Sequence, residues 1–346
     1  MPTARLGRLA PTLTPLTLCL VALACSPSSG TDDPAAAGDT GGPTDLTVEI
    51  PPVGEGQVQF ASPEMIIPPY TELLLCYFGT YDGPDIGVTA MTTRSHEEVT
   101  HHSGVMGVLD DQYADGELID CIDQGVEGMG IYTPIFFPVG IDWEGGDPIP
   151  ANINYLNLPP GAGFRINQGQ RWALDLHYIN YSDTPVVTNT VFTADVVPAD
   201  EIDSWIGAVM FDSGPFDLEP GPTEIVFDCT WQDEYDVITL MAHMHAYGAY
   251  FKAEMIRPGE APVTIFEIPD WSPALKDYPP VQSLEPGELH VNPGDVFRTT
   301  CGWTNETGEL QPYPAEMCSL EMAAMPLELP LMCVDGQYID EGQPPN

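Results

Sequence analysis

Basic residues are nearly missing from this chain: 9 Lys and Arg stand against 52 Asp and Glu in 346 residues, a formal net charge of −43. With so few cations, no surface can be assembled to neutralise phosphates, which excludes nucleic-acid binding. Electrostatic adhesion to anionic lipid headgroups is excluded on the same ground. There is no CxxC, so zinc ribbons and thioredoxin chemistry have no support. There is no HExxH either, which leaves a zinc hydrolase without its usual ligand pair and base. What is plentiful points elsewhere. A hydrophobic fraction of 43%, with 14 Tyr, 12 Phe and 6 Trp, can build a core and excludes wholesale disorder. The 37 Pro and 33 Gly make up about one residue in five, which disfavours long helices and favours short strands joined by turns.

The N-terminus sets the expected compartment. Arg5 and Arg8 precede an apolar stretch, Leu13 to Ala24, that is too short to span a bilayer and fits a signal-peptide core. It ends in Val21-Ala22-Leu23-Ala24-Cys25, which resembles the bacterial lipobox, where the cysteine receives lipid and becomes the mature N-terminus. That resemblance implies a signal peptide at 1–25, a lipid anchor on Cys25 and a place in the bacterial cell envelope; Ser26 favours the outer membrane. Without Arg5 and Arg8, seven basic residues face 52 acidic ones and the mature charge is −45. Residues 26–47 read as a Ser/Pro/Gly/Asp tether of about 20 residues, spanning roughly 25 Å as a flexible coil. The sequons Asn180-Tyr181-Ser182 and Asn305-Glu306-Thr307 read as chance matches in such a protein.

The fold expected is all-β: two antiparallel, jelly-roll-like sandwiches, 48–199 and 200–336, with a cleft between them and a short tail at 337–346. Leu73–Phe78, Trp172–Ile179 and Val237–His243 read as strands, and clusters such as Asn292-Pro293-Gly294-Asp295 as turns. Asp200 to Met210 is a candidate short helix. Six cysteines remain after Cys19 and Cys25 are set aside: Cys76, Cys121, Cys229, Cys301, Cys318 and Cys333. An even number in an exported chain reads as three disulfides, whose pairing the sequence alone leaves open. Two of the six precede residue 200 and four follow it, which supports the domain boundary. The molecule is expected to be a monomer.

The chemistry lies in the histidines. Of seven, five fall in arrangements suited to a metal: His101-His102, His177 within a strand, and His243-Met244-His245. Residues i and i+2 of a strand share a face, so His243 and His245 can converge on one ion. His101 and His102 point to opposite faces of a regular strand and could share an ion only at a bulge or strand end. Zinc is the generic metal for such a set, and copper the alternative, suited to imidazole and thioether ligands.

In order and separation, Thr100-His101-His102, Leu176-His177-Tyr178, His243-Met244-His245 and Glu316-Met317-Cys318 resemble the copper type II, ascorbate-dependent monooxygenases. The resemblance covers roughly residues 50–335. It implies two copper ions: one held by His101, His102 and His177 for electron transfer, the other by His243, His245 and Met317 for dioxygen activation. It also implies the pairings Cys76–Cys121, Cys229–Cys333 and Cys301–Cys318. The implied reaction hydroxylates a C–H bond of a small molecule with dioxygen and a one-electron donor such as ascorbate. A non-catalytic copper-binding or copper-delivery lipoprotein is the other reading. One departure bears on substrate. The peptide-hydroxylating members carry an Arg two residues before HxH that grips a carboxylate, and Met241 stands at that place. His96 and His290 are left over, His96 as a possible alternative ligand near the His pair.

Overall fold

Strands in this chain follow from short apolar runs, β-branched and aromatic residues and dense turn signals. The computed structural model describes residues 42–108, 112–121, 158–276, 279–313 and 315–338, with the backbone alone at 101–102, 132–136, 141–142 and 153–157. The expected signal peptide, Cys25 and most of the tether lie outside the described residues. So do the side chains of His101 and His102.

The architecture is all-β, with helix limited to the one-turn segments Ala199–Glu201 and Pro273–Lys276 among the described residues. The helix expected over Asp200–Met210 is therefore corrected. Only Ala199–Glu201 turns, and Gly207–Asp212 continues as a strand because Val209 and Phe211 alternate into a core. The first sandwich places a six-stranded sheet over a five-stranded one. Phe60, Val88, Phe164 and Phe192 of the one meet Val105, Leu174, Leu176 and Tyr178 of the other. The second places an eight-stranded sheet over a four-stranded one, with Phe211, Leu240 and Leu320 against Phe227, Phe251 and Phe297. Most pairings are antiparallel; the parallel ones are short, such as Val209–Asp212 with Leu331–Val334. Thr44–Leu46, within the expected tether, already pairs with Val186–Thr188. Ile238 and Ala323 of the second sandwich join the core of the first, so the two are packed together at that point.

The three disulfides are Cys76–Cys121, Cys229–Cys333 and Cys301–Cys318, with Cα separations of 5.7, 6.2 and 6.0 Å, as the family resemblance implied.

Each sandwich also closes a ten-residue strand, Arg171–Asn180 or Val296–Asn305, with the same device. Asn180 is 3% exposed and Asn305 2%. The Asn180 Oδ1 accepts bonds from the Ser182 amide and hydroxyl, and the Asn305 Oδ1 from those of Thr307. Both amide nitrogens donate to backbone carbonyls, among them Ile67 and Leu218. Both sequons are thus buried turn anchors.

Candidate metal centre

Strand Tyr235–His243 pairs with Ser319–Met325 so that His243 lies opposite Ser319. From there the first chain runs on to His245 and the second comes from Met317. The His243 Nε2 and His245 Nε2 are 3.1 Å apart, with the rings at 80°. Two imidazole nitrogens each about 2.0–2.1 Å from one tetrahedral ion would stand about 3.3 Å apart, so the observed approach fits a shared ligand position.

A buried carboxylate builds this corner. Glu316 is 1% exposed and accepts bonds from the His245 amide at 2.8 Å, the Tyr247 amide at 2.5 Å and the Trp303 indole at 2.9 Å. Burial is the main influence on its carboxyl and raises its pKa, opposed by those donated bonds. The Trp271 indole donates to the His245 carbonyl, and the His245 Nδ1 lies 3.3 Å from the Ala315 carbonyl. The latter contact turns Nε2 toward His243. Met317 follows Glu316 and precedes Cys318, so its backbone is tied on one side to His245 and on the other to Cys301. Sequence reading treated Glu316 as part of a motif; its role as the organiser of the corner needed the fold.

The other proposed set is positioned by the five-stranded sheet. His177 pairs directly with His102 in the register, and the next pair is Tyr178 with Thr100, leaving His101 as an extra residue. A β-bulge therefore falls at the His pair, the irregularity that a shared ion at adjacent residues requires. The His177 Nε2 lies 2.8 Å from Glu72 Oε1, a partner that sequence reading missed because Glu72 reaches it only through the pairing of Thr71–Thr80 with Arg171–Asn180. That carboxylate holds one nitrogen of the ring. His96 sits in the turn before the bulge, where its Nδ1 accepts the Glu98 amide at 3.3 Å and its carbonyl accepts the amides of Val99 and Thr100. His290 is bonded to Asp236 at 2.8 Å and lies 3.2 Å from Glu234, and those acids raise its pKa. Among the described residues, no group of three or more His, Cys, Asp or Glu is arranged to hold a metal ion. The His243/His245 pair contributes two such side chains, and the third ligand expected there is a thioether.

The sequence matches no protein-family model and no curated protein. Among solved structures, the major capsid protein P2 of bacteriophage PM2 is similar over 75% of this chain and 97% of that one, at 13% identity and a TM-score of 0.32. Infectious bursal disease virus Gt strain is similar over 83% and 75%, at 10% identity and a TM-score of 0.17. Similarities this weak carry no argument about fold, ancestry or activity.

Proposed function

We propose that this chain is a copper-dependent monooxygenase, lipid-anchored through Cys25 in the bacterial cell envelope, that hydroxylates a small molecule. The observation that carries the reading is the His243/His245 corner. Two imidazole nitrogens converge there, next to a Met-bearing segment fixed by Glu316 and by the Cys301–Cys318 disulfide. The donor set is imidazole plus thioether, which suits copper cycling between its two common oxidation states and gives zinc no comparable advantage. Bound copper would supply one-electron redox chemistry and the reduction of dioxygen. The overall balance is a C–H bond, dioxygen, two electrons and two protons giving C–OH and water, with ascorbate or another one-electron donor supplying the electrons.

The chain's own residues supply position. Glu316 fixes the backbone at His245 and Tyr247, so that the two imidazoles do not have to be ordered when the ion arrives. His101, His102 and His177 would hold the second copper, with Glu72 orienting the His177 ring. The test is product formation from oxygen-18 dioxygen by the two-copper protein, with His102→Ala and His243→Ala as controls. Labelled product that disappears in both variants supports the reading. Two coppers bound without oxygen uptake across reductants and substrates would instead support copper delivery.

A further inference from the structure

The eight-stranded sheet of the second sandwich has a core face and an outer face. Phe211, Leu240, Leu320, Met322 and Cys333 belong to the core, so their neighbours along each strand lie on the outer face. Register then aligns one row of that face across four adjacent strands. Met332 stands opposite Met210, Met210 opposite Glu321, and Glu321 opposite Met241. Directly opposed side chains are about 5 Å apart. The row is three strand spacings long, about 14 Å. His243 lies two residues beyond Met241 and therefore on the same face.

Methionine commonly fills gaps in a core, as Met244 and Met322 do here. Met210, Met241 and Met332 belong to neither sandwich's hydrophobic core. Met241 is buried and the other two are half-buried, so the row is closed at one end and reachable from solvent at the other. Glu321, between the thioethers, is 8% exposed, and among the described residues neither a basic side chain nor a hydrogen-bond donor pairs with it. A carboxyl this buried is rarely left without a partner. Methionine's three rotatable bonds let thioethers from either side close over that carboxylate. Thioether sulfur is soft and selects Cu(I), whereas a hard ion needs several oxygen ligands that this row does not offer. Charge selects in the same direction. Neutral thioethers, one carboxylate and a monovalent ion sum to zero, while a divalent ion would leave a net charge in a site poor in water. Because the ligands are mostly thioethers, no cluster of His, Cys, Asp and Glu marks the place.

We infer that Met210, Met241, Met332 and Glu321 form a further metal site, one that holds a single Cu(I) ion on the outer face of this sheet. Its ligands are separate from both histidine sets, and binding there does not depend on the copper reading above. Its role rests on that reading: an ion held in this row lies on the face that carries His243, from which it reaches the His243/His245 corner by exchange of ligands with no change of oxidation state. The mature charge of −45 draws cations toward the protein, and the thioethers decide which of them stays.

Silver(I), a redox-inert ion of the same charge and softness, is titrated into the copper-free mature protein carrying carbon-13-labelled methionine methyls. The Met210, Met241 and Met332 signals are expected to shift together on adding silver and to stay in place on adding zinc. That readout needs no variant. The double variant Met210→Leu/Met332→Leu conserves volume and should lose one bound equivalent of silver while the Met317 methyl still responds. Glu321→Gln should weaken the row's affinity by at least about tenfold. Unmoved row methyls, an equal response to zinc, or a double variant that still binds every equivalent overturns the proposal. The Met317 methyl reports on the other site separately. A silent row beside a responding Met317 removes this site and leaves the copper reading intact, and a responding row beside a silent Met317 counts against that reading alone.

Discussion

Replacing Glu321 by glutamine should stabilise the protein, and only above a definite pH. Burial, and then the neighbouring Asp212, push the Glu321 carboxyl from 4.5 up to about 8. The native state therefore keeps this proton while the unfolded chain releases it near 4.5. Stability falls as pH rises between those two values and levels off above 8, because the unfolded state binds fewer protons throughout that window. At about 1.4 kcal/mol per pH unit, the loss comes to roughly 5 kcal/mol by pH 9. Solvent screening takes little from this figure, since the side chain is almost wholly enclosed. Glutamine has the same shape and titrates in neither state, so the wild-type and variant curves should diverge across the window. Urea unfolding can be followed by tryptophan fluorescence, to which the buried Trp231 and Trp303 of the second sandwich contribute. Near pH 4.5 the two proteins should agree within about 1 kcal/mol, and at pH 9 the variant should be roughly 3–5 kcal/mol more stable. A difference that does not change with pH, or a variant less stable at pH 9, would refute the argument that Glu321 is buried without a cation.

On the copper reading proposed above, Met317→Ile should weaken Cu(I) binding at His243/His245 and leave the His101/His102/His177 set largely intact, as read by copper stoichiometry and sulfur scattering in X-ray absorption. Glu316→Gln keeps one acceptor oxygen and sets its NH₂ against the donors at the other, either Tyr247 or His245 with Trp303, and should cost roughly 2–4 kcal/mol in thermal or urea unfolding. It should also broaden the His245 ring signals, because one side chain no longer accepts from His245 and Tyr247 together. Removing the Cys301–Cys318 disulfide, which closes a span of 17 residues, as the paired alanine variant should cost about 3 kcal/mol by urea unfolding.

Much of this fold was legible because its signals are local. The apolar runs at Leu73–Phe78, Trp172–Ile179 and Val237–His243 all lie inside observed strands, and the turn residues bound them. The HxH spacing announced a shared face, and the need for a bulge at His101-His102 was stated by the two-residue period itself. What stayed hidden depends on strand partners. Glu72 meets His177, and Glu321 meets Met241, only once register is known, and no pattern along the chain encodes which strand lies beside which. The candidate helix at Asp200–Met210 fails beyond its first turn, Ala199–Glu201. Tertiary pairing of Ser204–Trp205 with Ala162–Gly163 overrides it.

The twin asparagine turns constrain how this protein can be made. A eukaryotic secretory pathway attaches glycans to nascent Asn-X-Ser/Thr before folding is complete. On Asn180 or Asn305 the sugar would occupy a site with almost no solvent exposure and replace a hydrogen that the turn donates to backbone carbonyls. The glycosylated chain would be unable to close the end of either ten-residue strand. The sequon cannot be erased cheaply either, since the Ser182 and Thr307 hydroxyls that define it are the groups that bond Asn180 and Asn305. Folding of this chain therefore requires that both asparagines stay unmodified, a constraint imposed by two buried amides.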